Sequence, residues 1–448
     1  MMLLNRFRAL VVVALLATVT SVASFAQTPT PTPTPSPTPT PVPVPDPADR
    51  FFDDSVVHDL FITINSRDWS GLKEHYLENT YYPSDFKWNE ITVRNIGIRS
   101  RGTGSRSGVK PGLRVDFDRY TTDQKFLGLK SFILRNNTQD ATGMRERISM
   151  LMFRRLGMIA EREAHARLYI NNVYSGLYTI VESLDKTFLK KQLNENDGQL
   201  YEFSFDNSES VANTPFNFGY PGPDPALYTP RPFKPETRED DPQGEVLERL
   251  FWTINVAGDA VWRTAMAEFL DLKKFIRHLA IENFLAEEDG LTGDYGPNNF
   301  YFYRFENTTK FMFLPWDKSN TFWESPFYSI FRNIEDGPEA KRNQLVLRAL
   351  RDTELRELYL NTLLEAADFA LSTPEAGQPA TLPTIKWLEA EVEKEYQQIR
   401  VADGLDTVKT HSNGQFESGV EALRNFARLR SEQVRLQVAA DRARRGIR

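Results

Sequence analysis

Residues 28–47 alternate proline with threonine, serine, valine or aspartate, placing ten prolines in that stretch. Each proline removes a backbone donor and holds φ at about −65°, so helix and sheet are both closed to the segment and an extended polyproline rod remains. Anything that folds must therefore lie after it, and at about 3.1 Å per residue the rod spaces a domain on the order of 60 Å from its origin. Before the repeat, Arg6 and Arg8 precede an apolar run from Ala9 to Ala17, and Ser24 and Ala26 put small residues where a signal peptidase cuts. The run is shorter than the roughly 20 residues of a membrane span. The expected layout is a signal peptide over residues 1–26, a Thr/Pro-rich linker over 27–50, and an exported mature chain without a transmembrane domain.

Composition narrows the chemistry. The 448 residues carry 54 Lys and Arg against 61 Asp and Glu, a net charge of −7, which argues against a nucleic-acid partner. With no cysteine, disulfides, thiolate metal sites and a Cys nucleophile are excluded, and catalysis rests on oxygen and nitrogen groups. The histidines at 58, 75, 165, 278 and 411 are never spaced as a metal pair, and no GxSxG, HExxH or Walker motif occurs.

In the first half, residues 56–65, 91–100, 113–117 and 126–134 read as strands, with alternation clearest in the first two. Residues 144–156 have helical spacing ended by Gly157, and a hairpin follows from residues 166–170 through Asn171-Asn172 to 178–181. Between two of the strands lies Arg99-Ser100-Arg101-Gly102-Thr103-Gly104-Ser105-Arg106-Ser107-Gly108-Val109-Lys110. Glycines, hydroxyls and cations at a strand-to-strand turn suit a phosphate cradle, because exposed N–H groups and fixed positive charge meet an anion there. The same residues also suit a plain hairpin with solvated arginines. Glu182, closing the last strand, is either a partner for Lys110 or a solvated edge residue.

Residues 205–245 are rich in Asn, Pro and Gly, with Phe216, Phe218, Tyr220, Tyr228 and Phe233 scattered among them. The stretch reads as an irregular connection, and its aromatics would suit a sugar-binding surface. Helical periodicity returns at 244–253 and 271–285. The second helix leads into Glu287-Glu288-Asp289-Gly290-Leu291-Thr292-Gly293-Asp294-Tyr295-Gly296-Pro297-Asn298-Asn299, then a hairpin over 300–305 and 310–314 that ends in Pro315-Trp316-Asp317. Phosphoryl transfer uses one carboxylate to orient or deprotonate a hydroxyl, with an amide oxygen and a second carboxylate holding Mg²⁺. Asp289 or Asp294 would serve the first purpose, and Asn299 with Asp317 the second. Turn chemistry alone would select many of the same residues. The Glu-rich run 389–395 and the Arg-rich run 416–445 read as solvated amphipathic helices.

In this order, several segments resemble the CotH kinase family over nearly all of residues 56–438. The carriers are Ile96-Gly97-Ile98-Arg99-Ser100-Arg101-Gly102-Thr103-Gly104-Ser105 with Lys110; Phe126-Leu127-Gly128-Leu129-Lys130 with Met144-Arg145-Glu146; and Tyr169-Ile170-Asn171-Asn172-Val173-Tyr174-Ser175-Gly176-Leu177-Tyr178 with Glu182 and Asp185. The stretch from Asp289-Gly290 through Asn298-Asn299-Phe300-Tyr301 to Pro315-Trp316-Asp317 completes the set.

The resemblance implies an α+β, two-lobed atypical protein-kinase-like fold. Its strand-rich N-lobe would span 51–205, its irregular interlobe connection 206–240 and its mainly helical C-lobe 241–448. It implies ATP and a divalent cation, Mg²⁺ or Mn²⁺, in the cleft, and phosphate passed to Ser or Thr of an exported protein, often the kinase itself. Carried over residue by residue, Arg101 and Lys110 fall on the nucleotide side with Glu182 as the supporting carboxylate, Asp289 is the catalytic carboxylate, and Asn299 and Asp317 are the metal positions. Many family members continue as Trp-Asp-x-Asp where this chain has Trp316-Asp317-Lys318-Ser319. The second carboxylate is missing and a cation is added, so a scaffold or adhesion protein that keeps the fold without the chemistry is the alternative.

Overall fold

Strands whose side chains alternate between apolar and polar close on themselves in the first half of the folded chain. The computed structural model describes residues 45–203, 216–323, 325–379 and 385–446. The signal peptide and the repeat up to residue 44 lie outside these described residues. The folded unit begins at Asp46. Ala48 is buried and Lys191 donates to the Asp46 carboxylate at 2.5 Å, so the linker expected to reach residue 50 gives way to packed structure earlier.

Seven strands, β1 (His58–Ile64), β2 (Tyr82–Trp88), β3 (Ile91–Ser100), β4 (Leu113–Asp116), β5 (Ser131–Arg135), β6 (Glu163–Ile170) and β7 (Val173–Glu182), form a closed barrel. The order is β1-β2-β3-β4-β5-β7-β6, antiparallel throughout except that β6 runs parallel to β1 and closes the ring. Inward side chains fill the barrel with aromatics: Phe51, Phe86, Trp88, Phe117, Phe126 and Phe132 pack with ring centroids 4.9–6.4 Å apart. Two helices are set among these strands, α1 (Ser66–Glu74) and α2 (Arg145–Arg155).

A second sheet sits between the barrel and the remaining helices. After helix α3 (Lys186–Leu193), strands β8 (Gln199–Phe203), β9 (Phe233–Pro235), β10 (Phe300–Arg304) and β11 (Phe311–Pro315) pair in the order β11-β10-β8-β9. Successive side chains of β10 point to opposite faces. Phe300 and Phe302 enter the helical core, whereas Tyr301 and Tyr303 pack with Ile133 and Val181 of the barrel wall. The sheet is thus covered on both sides, which explains why every residue of β10 is buried. The helical layer comprises α4 (Gly244–Val256), α5 (Asp259–Met266), α6 (Leu272–Phe284), α7 (Gln344–Arg351), α8 (Thr353–Ala370), α9 (Trp387–Gly404) and α10 (Asn413–Arg444). Among the described residues no helix is long and apolar enough to cross a membrane.

Three sequence expectations are corrected here. The mixture of strands and helices is as read, but the chain is built on a seven-stranded barrel rather than a clear two-lobed layout. β8 from the first half pairs with β10 from the second, and α9 packs on β7, so the proposed boundary at 206–240 does not separate two bodies. The aromatics of that connection are core: Phe218, Tyr228 and Phe233 are fully buried, and Phe216 and Tyr220 pack against the same cluster, which removes the sugar-binding surface. The 389–395 run is not wholly solvated either. Glu391 and Glu395 are buried and take the guanidinium of Arg147 from α2, which also pairs with Asp54 at 2.7 Å.

Candidate active site

The loop after α6 owes its shape to groups at the helix end. Glu282 accepts the N–H of Leu291 at 2.9 Å, and Asn283 accepts the Thr292 hydroxyl at 2.8 Å. The chain turns back so closely that a Cβ at Gly293 would lie 1.8 Å from the Glu288 carbonyl oxygen, so only glycine fits. This fold-back sets Asp289 against the end of the loop. Asn298 donates to one Asp289 oxygen at 3.0 Å and Asn299 to the other at 2.9 Å, leaving each oxygen a free lone pair. Burial first, then the charge of Asp317, push the Asp289 carboxyl up to about 6, against the Asn298 and Asn299 hydrogen bonds and Lys318, which lower it.

Hairpin register brings the two metal candidates together. Phe300 pairs with Pro315, so Asn299 and Trp316 are neighbours at one end of the β10–β11 hairpin, and the Trp316 N–H donates to the Asn299 carbonyl at 3.2 Å. Asn299 and Asp317 both adopt left-handed backbone, φ 56° and 49°, the kind of conformation that concentrates at functional turns. Asp317 receives Arg135 from the end of β5 at 2.7 Å and the Ser319 hydroxyl at 3.1 Å. Burial works to raise its carboxyl, but Arg135 leads the groups that hold it below the ordinary value. Arg135 also pairs with Glu146, in the first turn of α2, at 2.6 Å. A strand cation, a helix carboxylate and the hairpin aspartate are therefore linked in one chain of ion pairs.

Arg101 comes to the same place from the glycine-rich loop. Its guanidinium lies 4.9 Å from the centre of the Trp316 ring, and that of Arg135 lies 4.8 Å from it. Among the described residues Arg101 makes no ion pair. With Ser105, Asn137, Gln139, Asp317 and Ser319 it lines a depression open to solvent. The loop is shaped by Asn136, which donates to the carbonyls of Ser105 and Lys110 at 2.8 Å, and by Arg106, whose guanidinium reaches the carbonyls of Tyr76 and Glu78. The donors at the hairpin end are carboxylate and amide oxygens only, a set that suits Mg²⁺ or Mn²⁺.

Several expected partners are elsewhere. The Lys110 ammonium, 2% exposed, bonds to Asp406 at 2.7 Å and to the Leu177 carbonyl at 2.8 Å, so it does not meet Glu182. Glu182 is instead clasped by Arg162 at 2.9 and 2.5 Å, because the β6–β7 register sets that arginine across from it, and Arg162 extends to Asp49 at 2.6 Å. The pair fastens the start of the folded unit. Lys318 is fully buried, bonded to Glu282 and to the Asn299 carbonyl at 3.0 Å, so it braces the loop from within. Asp294 is tied to Arg332 at 3.0 Å and Asn333 at 2.7 Å, leaving Asp289 as the acidic-loop aspartate beside Asp317. Sequence reading assigned no role to Arg135, Glu146 or Asn298. Their signals were a cation at a strand end, a carboxylate opening a helix, and the first Asn of the Asn-Asn pair.

The site is clamped from behind by α10. Arg430, fully buried, donates to the carbonyls of Asn283, Phe284, Pro326 and Tyr328 at 2.6–2.9 Å, joining the start of the Asp289 loop to the segment that follows Asp317.

A barrel joined to a helical layer, with a carboxylate, amide and arginine site at a hairpin end, is the setting in which the comparisons with known proteins fall. Residues 98–434 match the family described as CotH kinase protein, and the chain belongs to that family. It is a family of kinase-like proteins, a class that in general uses ATP and a divalent metal. The chain is 23% identical over 386 residues to the inner spore coat protein H of Bacillus subtilis, covering 85% of this chain and 96% of that one. It is also 23% identical over 260 residues to spore coat protein homolog 1 of Rhizopus delemar, covering 55% of this chain but only 39% of that longer protein. The crystal structure of a Helicobacter pylori proinflammatory kinase, CtkA, aligns with 75% of this chain and 95% of that one at 10% identity, with a TM-score of 0.29, a superposition too loose to define the fold.

Proposed function

We propose that this chain is an exported protein kinase that transfers the γ-phosphate of ATP to Ser or Thr of secreted or surface proteins, itself among them, with Mg²⁺ or Mn²⁺. The observation that carries this reading is the meeting of Asp289, Asn299 and Asp317 at one hairpin end, with Arg101 and Arg135 beside them. Bound nucleotide and metal supply the phosphoryl group and neutralise its charge. Asp317 and Asn299 hold the metal, and Arg101 contributes a fixed cation to phosphate oxygens. Asp289, oriented through both carboxylate oxygens by Asn298 and Asn299, accepts the proton of the acceptor hydroxyl on a free lone pair. Family membership supports the kinase reading. The export pattern of the first 26 residues and the spore coat relative support a surface or extracellular location.

The direct test is transfer from labelled ATP on residues 46–448, with Mg²⁺ or Mn²⁺ and with chelator, beside Asp289→Ala and Asp317→Ala. Metal-dependent transfer lost in both variants is expected. Transfer that persists in both would sink the assignment. The second reading is a catalytically silent surface scaffold. It is favoured by Ser319, which sets a hydroxyl on Asp317 where many relatives have a carboxylate. It predicts neither transfer nor metal-dependent nucleotide binding in the wild-type chain.

A further inference from the structure

A second concentration of carboxylates adjoins the site described above and shares Glu146 with the depression that Asp317 lines. Glu161 and Glu163 alternate with Arg162, so both point to one face as the chain enters β6 while Arg162 points away to Glu182. Glu146 meets them from the first turn of α2, and one ligand atom from each of the three lies within 4.8 Å of the others. Glu161 is 0% exposed and Glu163 1%, and neither carboxylate has a hydrogen-bond partner. The Oε1 of Glu146 is also without one, its Oε2 being held by Arg135. Five buried carboxylate oxygens therefore lack a donor, and one from each residue is within reach of a common centre.

Nearby cations do not resolve this. Arg135 is shared between Glu146 and Asp317, and Arg154 donates to the backbone carbonyl of Glu161 rather than to a carboxylate. Carboxylates buried without partners cost several kcal/mol each in ionised form unless a cation joins them. Oxygens bound to one Ca²⁺ at about 2.3–2.6 Å span at most about 5 Å across the ion, which matches this spacing. We infer that Glu146, Glu161 and Glu163 bind one divalent cation, Ca²⁺ or Mn²⁺, which ties α2 to β6. A buried, water-poor set disfavours Mg²⁺, which keeps several waters. The ion is separate from the one at Asp317 and needs no nucleotide.

The test uses the full chain purified without nucleotide, exchanged into chelator-treated buffer containing Ca²⁺ or Mn²⁺ and desalted. One equivalent of metal per chain is expected by elemental analysis, with a melting temperature that falls on adding EDTA and recovers when the metal is restored. Glu161→Gln/Glu163→Gln should weaken binding about a hundredfold or more, whereas Asp317→Asn should retain the equivalent. Metal below a tenth of an equivalent, with melting unmoved by EDTA, would overturn the inference and leave a cluster of protonated carboxyls. Loss of the ion in Asp317→Asn but not in the double variant would overturn it by placing the metal at the hairpin end. If the double variant fails to fold, the metal content and EDTA response of the wild-type chain decide. Neither result depends on whether the chain transfers phosphate.

Discussion

Replacing Lys110 with methionine separates two roles for this residue, nucleotide contact and buried brace. The structure makes it a brace: Nζ bonds to the Asp406 carboxylate at 2.7 Å and to the Leu177 carbonyl at 2.8 Å, and lies 5.0 Å from the centre of the Tyr178 ring. Methionine keeps the stem but strands Asp406, 3% exposed, with backbone N–H groups of Leu177 and Val408 as its remaining donors. Breaking a buried pair from one side costs about 3–5 kcal/mol. With an unfolding entropy of about 2.1 cal/mol/K per residue over roughly 400 residues, that loss lowers the melting temperature by about 4–6 °C. Adding Asp406→Asn removes the stranded charge while keeping an acceptor, and should restore about half of the loss. Scanning fluorimetry measures the shift, and an ATP titration of phosphate transfer measures the nucleotide KM. A KM raised about tenfold, equivalent to about 1.4 kcal/mol, with melting unchanged would refute the brace and put the ammonium on the nucleotide.

Two further outcomes are expected. His278 is fully buried against Phe153 and Phe313 with neither ring nitrogen hydrogen-bonded, and burial, aided by Lys318 and opposed by Glu282, depresses it to about 4. Between the unfolded value of about 6.5 and the folded one, the unfolded chain binds the extra proton, so stability falls as pH drops through this window, by about 2 kcal/mol at pH 5. His278→Phe should flatten the fall in denaturant midpoint between pH 7.5 and 5, and an unchanged slope would contradict the assignment. Ser319→Asp restores a second carboxylate beside Asp317 and should lower the Mg²⁺ concentration for half-maximal transfer about tenfold, or about 1.4 kcal/mol; a titration with no leftward shift would count against Asp317 as a metal ligand.

Local features were legible where the pattern and its consequence lie close together in the chain. Strand β3 runs over residues 91–100 as its alternation predicts, and the Asn171-Asn172 turn carries the positive φ angles, 50° and 66°, that a tight hairpin requires. Likewise the acidic-loop aspartates, Asn299 and Asp317 belong to one loop and the hairpin it enters, so their order in the chain suggests a meeting, while the choice of Asp289 over Asp294 comes from the family resemblance. What escaped was decided by partners far away in the chain. Lys110 was assigned to Glu182, but its counter-charge is Asp406, 296 residues on. Glu391 and Glu395 looked like a solvated run because Arg147, which takes both inward, belongs to a different helix. The barrel itself rests on β1 lying parallel to β6, a non-local pairing that no period along the sequence encodes.

Arg430 makes the order of synthesis matter. The Asp289 loop and the segment beyond Asp317 are held together by a residue midway along α10, so both are made well before the group that joins them. At about 5–20 residues per second a ribosome needs several seconds to cover that interval. A chain still being made therefore carries every reactive side chain of the site but not its clamp. On the export reading, a polypeptide threaded out before α10 docks crosses the ATP-rich compartment with its site unassembled, and assembles it on the far side.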